Sequence, residues 1–125
     1  MLGIDYYLTS ERFLDEDIDR YPRHYHTHNG QQAYVDVEAV RVNTGAPLPV
    51  GHAERMREAW QRYGLPLAIT EAHLGSTREE QVRWLAEAWN AAQQVRQEGA
   101  QVHAVTVWSL LDAYDWNTLV RKLHL

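Results

Sequence analysis

The chain has 125 residues, 45% of them hydrophobic, including five Trp and seven Tyr, which suits a single domain with a packed core and argues against disorder. A formal net charge of −5 with no cluster of Lys and Arg argues against nucleic acid or an anionic membrane surface as the main partner. The absence of cysteine rules out a disulfide framework and a thiolate metal site, and no apolar run approaches the ~20 residues that cross a bilayer.

The start, Met1-Leu2-Gly3-Ile4-Asp5, lacks the basic and apolar regions of a signal peptide, so a cytoplasmic location is expected. Gly3 to Leu8, rich in apolar and aromatic residues, predicts a short strand. A long polar excursion follows, to about Val50. Within it Asn29-Gly30 predicts a two-residue hairpin loop, because both residues tolerate positive φ. The arms would be Tyr25 to His28 and Gln31 to Val37. Another apolar run, Tyr34 to Val42, stops at Gly45, Pro47 and Pro49.

The first clear helix is expected from His52 to Tyr63, where Met56, Ala59, Trp60 and Tyr63 make one apolar stripe. Gly64 ends it and Pro66 prevents resumption. Leu67-Ala68-Ile69-Thr70-Glu71 reads as a buried strand ending in a carboxylate. A second helix opens at Ser76-Thr77, with capping boxes available from Ser76 with Glu79 or Thr77 with Glu80. Its buried face is expected to carry Val82, Leu85, Ala86, Trp89, Ala92 and Val95, and Gly99 closes it. Val102 to Trp108 is again a nearly all-apolar strand, and Asn117 to His124 predicts a last short helix.

Strands alternating with helices predict an α/β fold with a parallel sheet and right-handed crossovers. The apolar character of the strands predicts that both faces of that sheet are covered. In such architectures the site lies at the carboxyl ends of the strands. Three clusters fall there: Tyr6-Tyr7 with Thr9, Thr70-Glu71-Ala72-His73, and Trp108-Ser109 running on to Asp112, Asp115 and Trp116. Core packing does not ask for a carboxylate after Leu-Ala-Ile-Thr. Glu71 is either functional or a plain strand-end group paired with an arginine.

Three motifs in order resemble the family 1 glycoside hydrolases, the β-glucosidase family of the large (β/α)₈ glycosidase clan. Gly3-Ile4-Asp5-Tyr6-Tyr7 is similar to G-(I/L)-N-Y-Y at the end of the sixth strand. Pro66-Leu67-Ala68-Ile69-Thr70-Glu71 is similar to P-(I/L)-x-(I/V)-T-E-N-G at the end of the seventh. Trp108 to Trp116 is similar to W-S-L-L-D-N-F-E-W at the end of the eighth. The resemblance implies that residues 1–125 are the last three strand–helix units of a partial (β/α)₈ TIM barrel, with a hairpin-bearing excursion at about 20–50. It implies retaining hydrolysis of an O-glycosidic bond in a carbohydrate. Glu71 would be the nucleophile and Tyr7 the hydrogen-bond partner that helps hold it ionised. Trp108 would be the platform under the sugar, while Asp115 and Trp116 bind its hydroxyls. Asp5 and His73 would complete the substrate-binding set, with no metal and no cofactor. An apolar ring face suits a pyranose, and a carboxylate accepts two hydroxyl hydrogen bonds.

The departures are specific. Asp5 stands where the family has Asn, Ala72-His73 where it has Asn-Gly, and Asp115 where it has Glu. No Asn-Glu-Pro occurs, so the general acid/base is missing, although retaining glycosidases need two carboxyl groups ~5–5.5 Å apart. Asp5 is the one candidate stand-in. Glu71 to Gln81 resembles a bacterial branch in which the barrel precedes a module similar to dTDP-4-dehydrorhamnose reductase. That likeness implies, as the alternative, a non-catalytic sugar-binding or structural module of sugar-nucleotide metabolism. Three strands cannot close a barrel, so self-association or a partner chain that completes it is expected. His24, His26 and His28 would face one way on a strand, as zinc ligands or as a solvated arm. His73 either lines the pocket or caps the next helix.

Overall fold

A computed structural model describes residues 1–39, 42 and 48–109 of the chain. It is a mixed α/β structure with two three-stranded sheets. Strands β1 (Leu2–Asp5), β5 (Leu67–Ala72) and β6 (Val102–Val107) form a parallel sheet in the order β1-β5-β6. Strands β2 (Arg12–Asp15), β3 (His26–His28) and β4 (Ala33–Glu38) form an antiparallel sheet in the order β2-β4-β3. Helices α1 (His52–Tyr63) and α2 (Arg78–Gln97) lead into β5 and β6 respectively. The expected last helix, Asn117 to His124, lies outside the described residues.

The excursion is more ordered than its polar composition suggests. β2 has no counterpart in the sequence reading. It forms because Arg12 reaches across to Asp36 at 2.7 Å and to Glu38 at 3.4 Å, while Val35 and Val37 of β4 are buried on the other side. The hairpin at Asn29-Gly30 is present, but its loop is longer than two residues, since the ladder ends at His28↔Ala33. Asn29 supplies the reason. Its Oδ1 accepts from the backbone N–H of both Gln31 and Gln32, at 2.9 and 3.0 Å, so the side chain replaces a backbone turn. The three histidines do not face one way. His24 lies in a 3₁₀ turn, Arg23–Tyr25, against the Tyr25 ring. His26 Nε2 meets the Tyr21 carbonyl at 3.0 Å, and His28 Nδ1 accepts from Gly30 N–H at 2.8 Å.

α1 has the expected bounds, and Gly64 ends it at φ 61°, donating its N–H to the Trp60 carbonyl at 2.8 Å. Met56 is fully buried, while Tyr63 at the end of the expected stripe is exposed. α2 begins on the second of the two capping choices, with Thr77 Oγ1 accepting from Glu80 N–H. Its buried face differs from the expected one. Trp84, Ala88, Ala91, Ala92 and Val95 point inward, while Val82 and Trp89 are exposed. The inward set recurs at i, i+4, i+7, i+8 and i+11, so it is as helical as the expected stripe.

The core lies between these helices and one face of the parallel sheet. Leu67, Ile69, Met56, Ala88, Ala92 and Val95 meet there, with Leu2, Ile4, Trp60 and Val105 packed against them. Among the described residues the opposite face is open. Gly3, Asp5 and Thr70 are exposed on it, and β6 buries little besides Val102. The described residues thus cover one face of the parallel sheet with α1 and α2 and place no second helix layer on the other, where the sequence led us to expect one.

Beside this core sits a polar junction that the sequence did not signal. His52, the first residue of α1, is 1% exposed and lies 4.7 Å from the Tyr6 ring and 4.8 Å from the Trp84 ring. Neither of its ring nitrogens has a hydrogen-bond partner among the described residues, nor does Trp84 Nε1. Burial pushes the His52 pKa down to about 4. Next to it, Glu11 pairs with Arg55 at 3.0 Å and accepts from Gly51 N–H at 3.3 Å. Those contacts tie the start of α1 to the excursion.

Candidate functional site

Because β1, β5 and β6 run parallel, their carboxyl ends lie together, and Tyr7, Glu71 and Trp108 all fall at that end. An irregularity in β5 decides where Glu71 goes. The pairs Ile4↔Ile69 and Asp5↔Glu71 show β5 advancing two residues for one of β1. Against β6, the pairs Ile69↔Val105 and Ala72↔Val107 show three for two. Thr70 is the inserted residue of a β-bulge, and a bulge reverses the alternation beyond it. Without it, Glu71 would share the core-facing side of Leu67 and Ile69. With it, Ala72 enters the core at 3% exposure and Glu71 stands half-buried at the rim.

There the Tyr7 hydroxyl donates to Glu71 Oε2. Adjacent tyrosines thus part company, Tyr6 going into the aromatic junction with His52 and Tyr7 to the carboxylate. Thr70 stood in the expected strand-end cluster with no role of its own, and its hydroxyl donates to Asp5 Oδ1. Gly3 leaves the room for this. A Cβ at Gly3 would come within 3.0 Å of Thr70 Oγ1 and Cγ2. The signal available in sequence was only that Thr70 and Asp5 each stand at the end of a strand.

Burial pushes the Tyr7 phenol up to about 12, helped by its hydrogen bond to Glu71, the charge of Glu71 and then the charge of Asp5. Tyr7 therefore remains a neutral donor at any pH near neutrality. Replacing Glu71 by Gln removes a charge but not the burial, so the Tyr7 pKa is expected to fall from about 12 while staying above the ordinary 10. Titration of ¹³Cζ-labelled tyrosine, with Tyr7 assigned by Tyr7→Phe, reads this directly. A Tyr7 that titrates at its ordinary value in the unaltered protein would remove the buried contact.

His73 and Trp108 complete the described site, half-buried and edge-to-face with ring centroids 5.6 Å apart. The Trp108–Ser109 peptide is cis. Of the expected site residues, Tyr7, Glu71, Asp5, His73 and Trp108 gather at one end of the sheet, whereas Asp115 and Trp116 lie outside the described residues. Among the described residues no arginine or lysine pairs with Glu71. A hollow of about 730 Å³ on the antiparallel sheet, lined by Leu14, Tyr34 and Asp36 among others, shares no residue with this site. No helix of the described residues is long and apolar enough to cross a membrane. In comparisons with protein-family models, curated proteins and solved structures, none matches this chain.

Proposed function

We propose that this chain is the back part of a β-glucosidase-like (β/α)₈ barrel, in which Glu71 attacks the anomeric carbon of a glycoside and forms a covalent glycosyl-enzyme. The observation that carries this reading is the Tyr7–Glu71 hydrogen bond. It joins two residues 64 positions apart at the carboxyl end of a parallel sheet. A protonated phenol orients the carboxylate and leaves its second oxygen for the sugar. Trp108, at the end of the neighbouring strand, offers the ring face on which a pyranose stacks. The sheet order β1-β5-β6 is the order that three consecutive barrel strands would take.

The chemistry needs a second carboxyl group to protonate the leaving oxygen. Asp5 is adjacent, but its carboxylate already accepts from Thr70, which suits it to holding the site rather than to moving protons. The acid is therefore assigned to strands outside this chain, from a partner or a longer gene product. The edges on β1 and β6, which have no strand partner among the described residues, are where such strands would add. A 2-deoxy-2-fluoro-β-glucoside carrying a good leaving group tests the reading, since its first step needs a nucleophile but little acid assistance. Peptide mapping is expected to find the label on Glu71, and none in Glu71→Gln. An unlabelled Glu71 in a protein that still binds glucosides would favour the alternative, a sugar-binding module without catalysis. Sedimentation of the same sample reads the association, and an ideal monomer at high concentration would remove the partner requirement.

A further inference from the structure

From the two side-chain bonds that cross between the ends of β1 and β5, we infer that Thr70 is a positioning residue whose hydrogen bond to Asp5 fixes the bulge and so places Glu71 at the Tyr7 hydroxyl. Both bonds join the same two stretches of chain: Asp5 accepts from Thr70, and Tyr7 donates to Glu71. In the ladder Asp5 stands opposite Glu71, not Thr70, so Thr70 is the residue that backbone pairing leaves out. Its side chain makes the connection instead. Thr70 shares the open face of the sheet with Gly3 and Asp5 and lies against Gly3, where a Cβ would come within 3.0 Å of Thr70 Oγ1 and Cγ2. A glycine inside a strand marks such a close approach.

A carboxylate facing the core beside Leu67 and Ile69 would lose its hydration, so desolvation alone asks for one extra residue before Ala72. It does not say which. The pairs Ile69↔Val105 and Ala72↔Val107 are met equally well with Thr70 or with Glu71 as the insertion. Were Glu71 the inserted residue, its own backbone would leave the ladder, and its carboxylate would lose its fixed bearing on Tyr7. The Thr70–Asp5 bond decides for Thr70 and keeps Glu71 in the ladder opposite Asp5. A hydroxyl donating to a carboxylate makes a bond roughly twice as strong as one between neutral groups. Asp5 precedes Tyr7 on one chain as Thr70 precedes Glu71 on the other, so the carboxylate and its donor are both referred to one crossing point. Asp5 and Thr70 are exposed, so their bond contributes placement rather than core packing.

That Glu71 is a nucleophile rests on the reading under Proposed function, whereas the placement of its side chain does not. Thr70→Val keeps the shape of the side chain and removes its donor, while Thr70→Ser keeps the hydroxyl. Two readouts are taken on each variant: titration of ¹³Cζ-labelled tyrosine, and the rate of labelling by the 2-deoxy-2-fluoro-β-glucoside. In Thr70→Val the Tyr7 pKa is expected to fall from about 12 towards the ordinary 10, because Glu71 leaves its hydroxyl. Labelling is expected to slow roughly 100-fold, the effect of moving a reacting group by about 1 Å. Thr70→Ser is expected to restore both. Gly3→Ala, whose Cβ displaces Thr70, is expected to reproduce both losses with the hydroxyl still present. Urea midpoints are expected to stay close to that of the unaltered protein, and a midpoint falling in step with both losses would reduce Thr70 to a structural part and overturn the inference. An unmoved Tyr7 pKa in Thr70→Val would overturn it as well. A lowered pKa with unchanged labelling would overturn the link to the reaction. If the unaltered protein takes no label, the sugar reading fails, while the tyrosine titration still decides whether Thr70 places Glu71.

Discussion

Lowering the pH from 7 to 4 is expected to remove roughly 3 kcal/mol of folding free energy through one side chain, His52. The imidazole is 1% exposed and enclosed by Tyr6 and Trp84, where a positive charge would lose its hydration without gaining a hydrogen bond. Its pKa accordingly falls from 6.5 to about 4. The unfolded chain takes up the proton below pH ~6.5, whereas the folded chain does so only near 4. Between those values the unfolded state holds more protons, so stability is full above 6.5, drops as pH falls, and levels off below 4. At about 1.36 kcal/mol per pH unit between the two pKa values, the loss comes to roughly 3 kcal/mol. Asp15 and Glu98 have lowered pKa values, each from hydrogen bonds to its carboxylate, so their contributions disappear at still lower pH. Among the described residues with a shifted pKa, His52 is the one that acts between 6.5 and 4.5. Urea unfolding at pH 7, 5.5 and 4.5 measures the slope. His52→Phe keeps a flat ring beside Tyr6 and Trp84, removes two buried nitrogens without partners, and is expected to flatten the curve. Equal slopes in the two proteins would show that the proton goes elsewhere.

The position of His52 bears on the site as well as on stability. Tyr6 packs on His52, and Tyr7, the next residue, donates to Glu71. The junction therefore anchors the stretch of chain that presents the Tyr7 hydroxyl. A protein loosened at pH 4 would lose that alignment together with its core.

How much of this was legible in the residues differs from element to element. The bounds of α1 follow from its stripe and from Gly64, and β5 follows from a short apolar run between Pro66 and the next cap. The meeting of Tyr7 with Glu71 was expected from the motifs and is what the structure shows. The bulge at Thr70 was not legible, because an inserted residue leaves no mark in a run as short as Leu67 to Ala72. Yet without it the carboxylate would face the core. β2 was hidden because its ion-pair partners Asp36 and Glu38 lie more than twenty residues away. The covered second face of the sheet was inferred from composition, but apolar composition records what a strand is suited to meet, not what the described residues place against it.

Replacing Trp84 by Ala is expected to cost about 3–5 kcal/mol, a large share of the ~5–15 kcal/mol that holds a domain folded, whereas Trp89→Ala should cost less than about 1 kcal/mol. Sequence periodicity ranks the two the other way, since Trp89 falls on the stripe Val82, Leu85, Ala86, Trp89. α2 carries a second stripe, Trp84, Ala88, Ala91, Val95, and periodicity alone cannot choose between them. The choice is made by partners. Tyr6 stacks on Trp84 at 5.8 Å and His52 lies at 4.8 Å, so Trp84 is 6% exposed and Trp89 54%. The alanines agree with this, because Ala88, Ala91 and Ala92 let α2 pack closely against Met56, Leu67 and Ile69. Removing the Trp84 indole would open a void beside a buried imidazole, so Trp84→Ala should also raise the His52 pKa by admitting water. Shared contacts make the two effects non-additive. Urea midpoints for Trp84→Ala and Trp89→Ala, with the pH slope of each, decide it. A Trp89 variant as unstable as the Trp84 one would mean that the expected stripe, and not this one, faces the core.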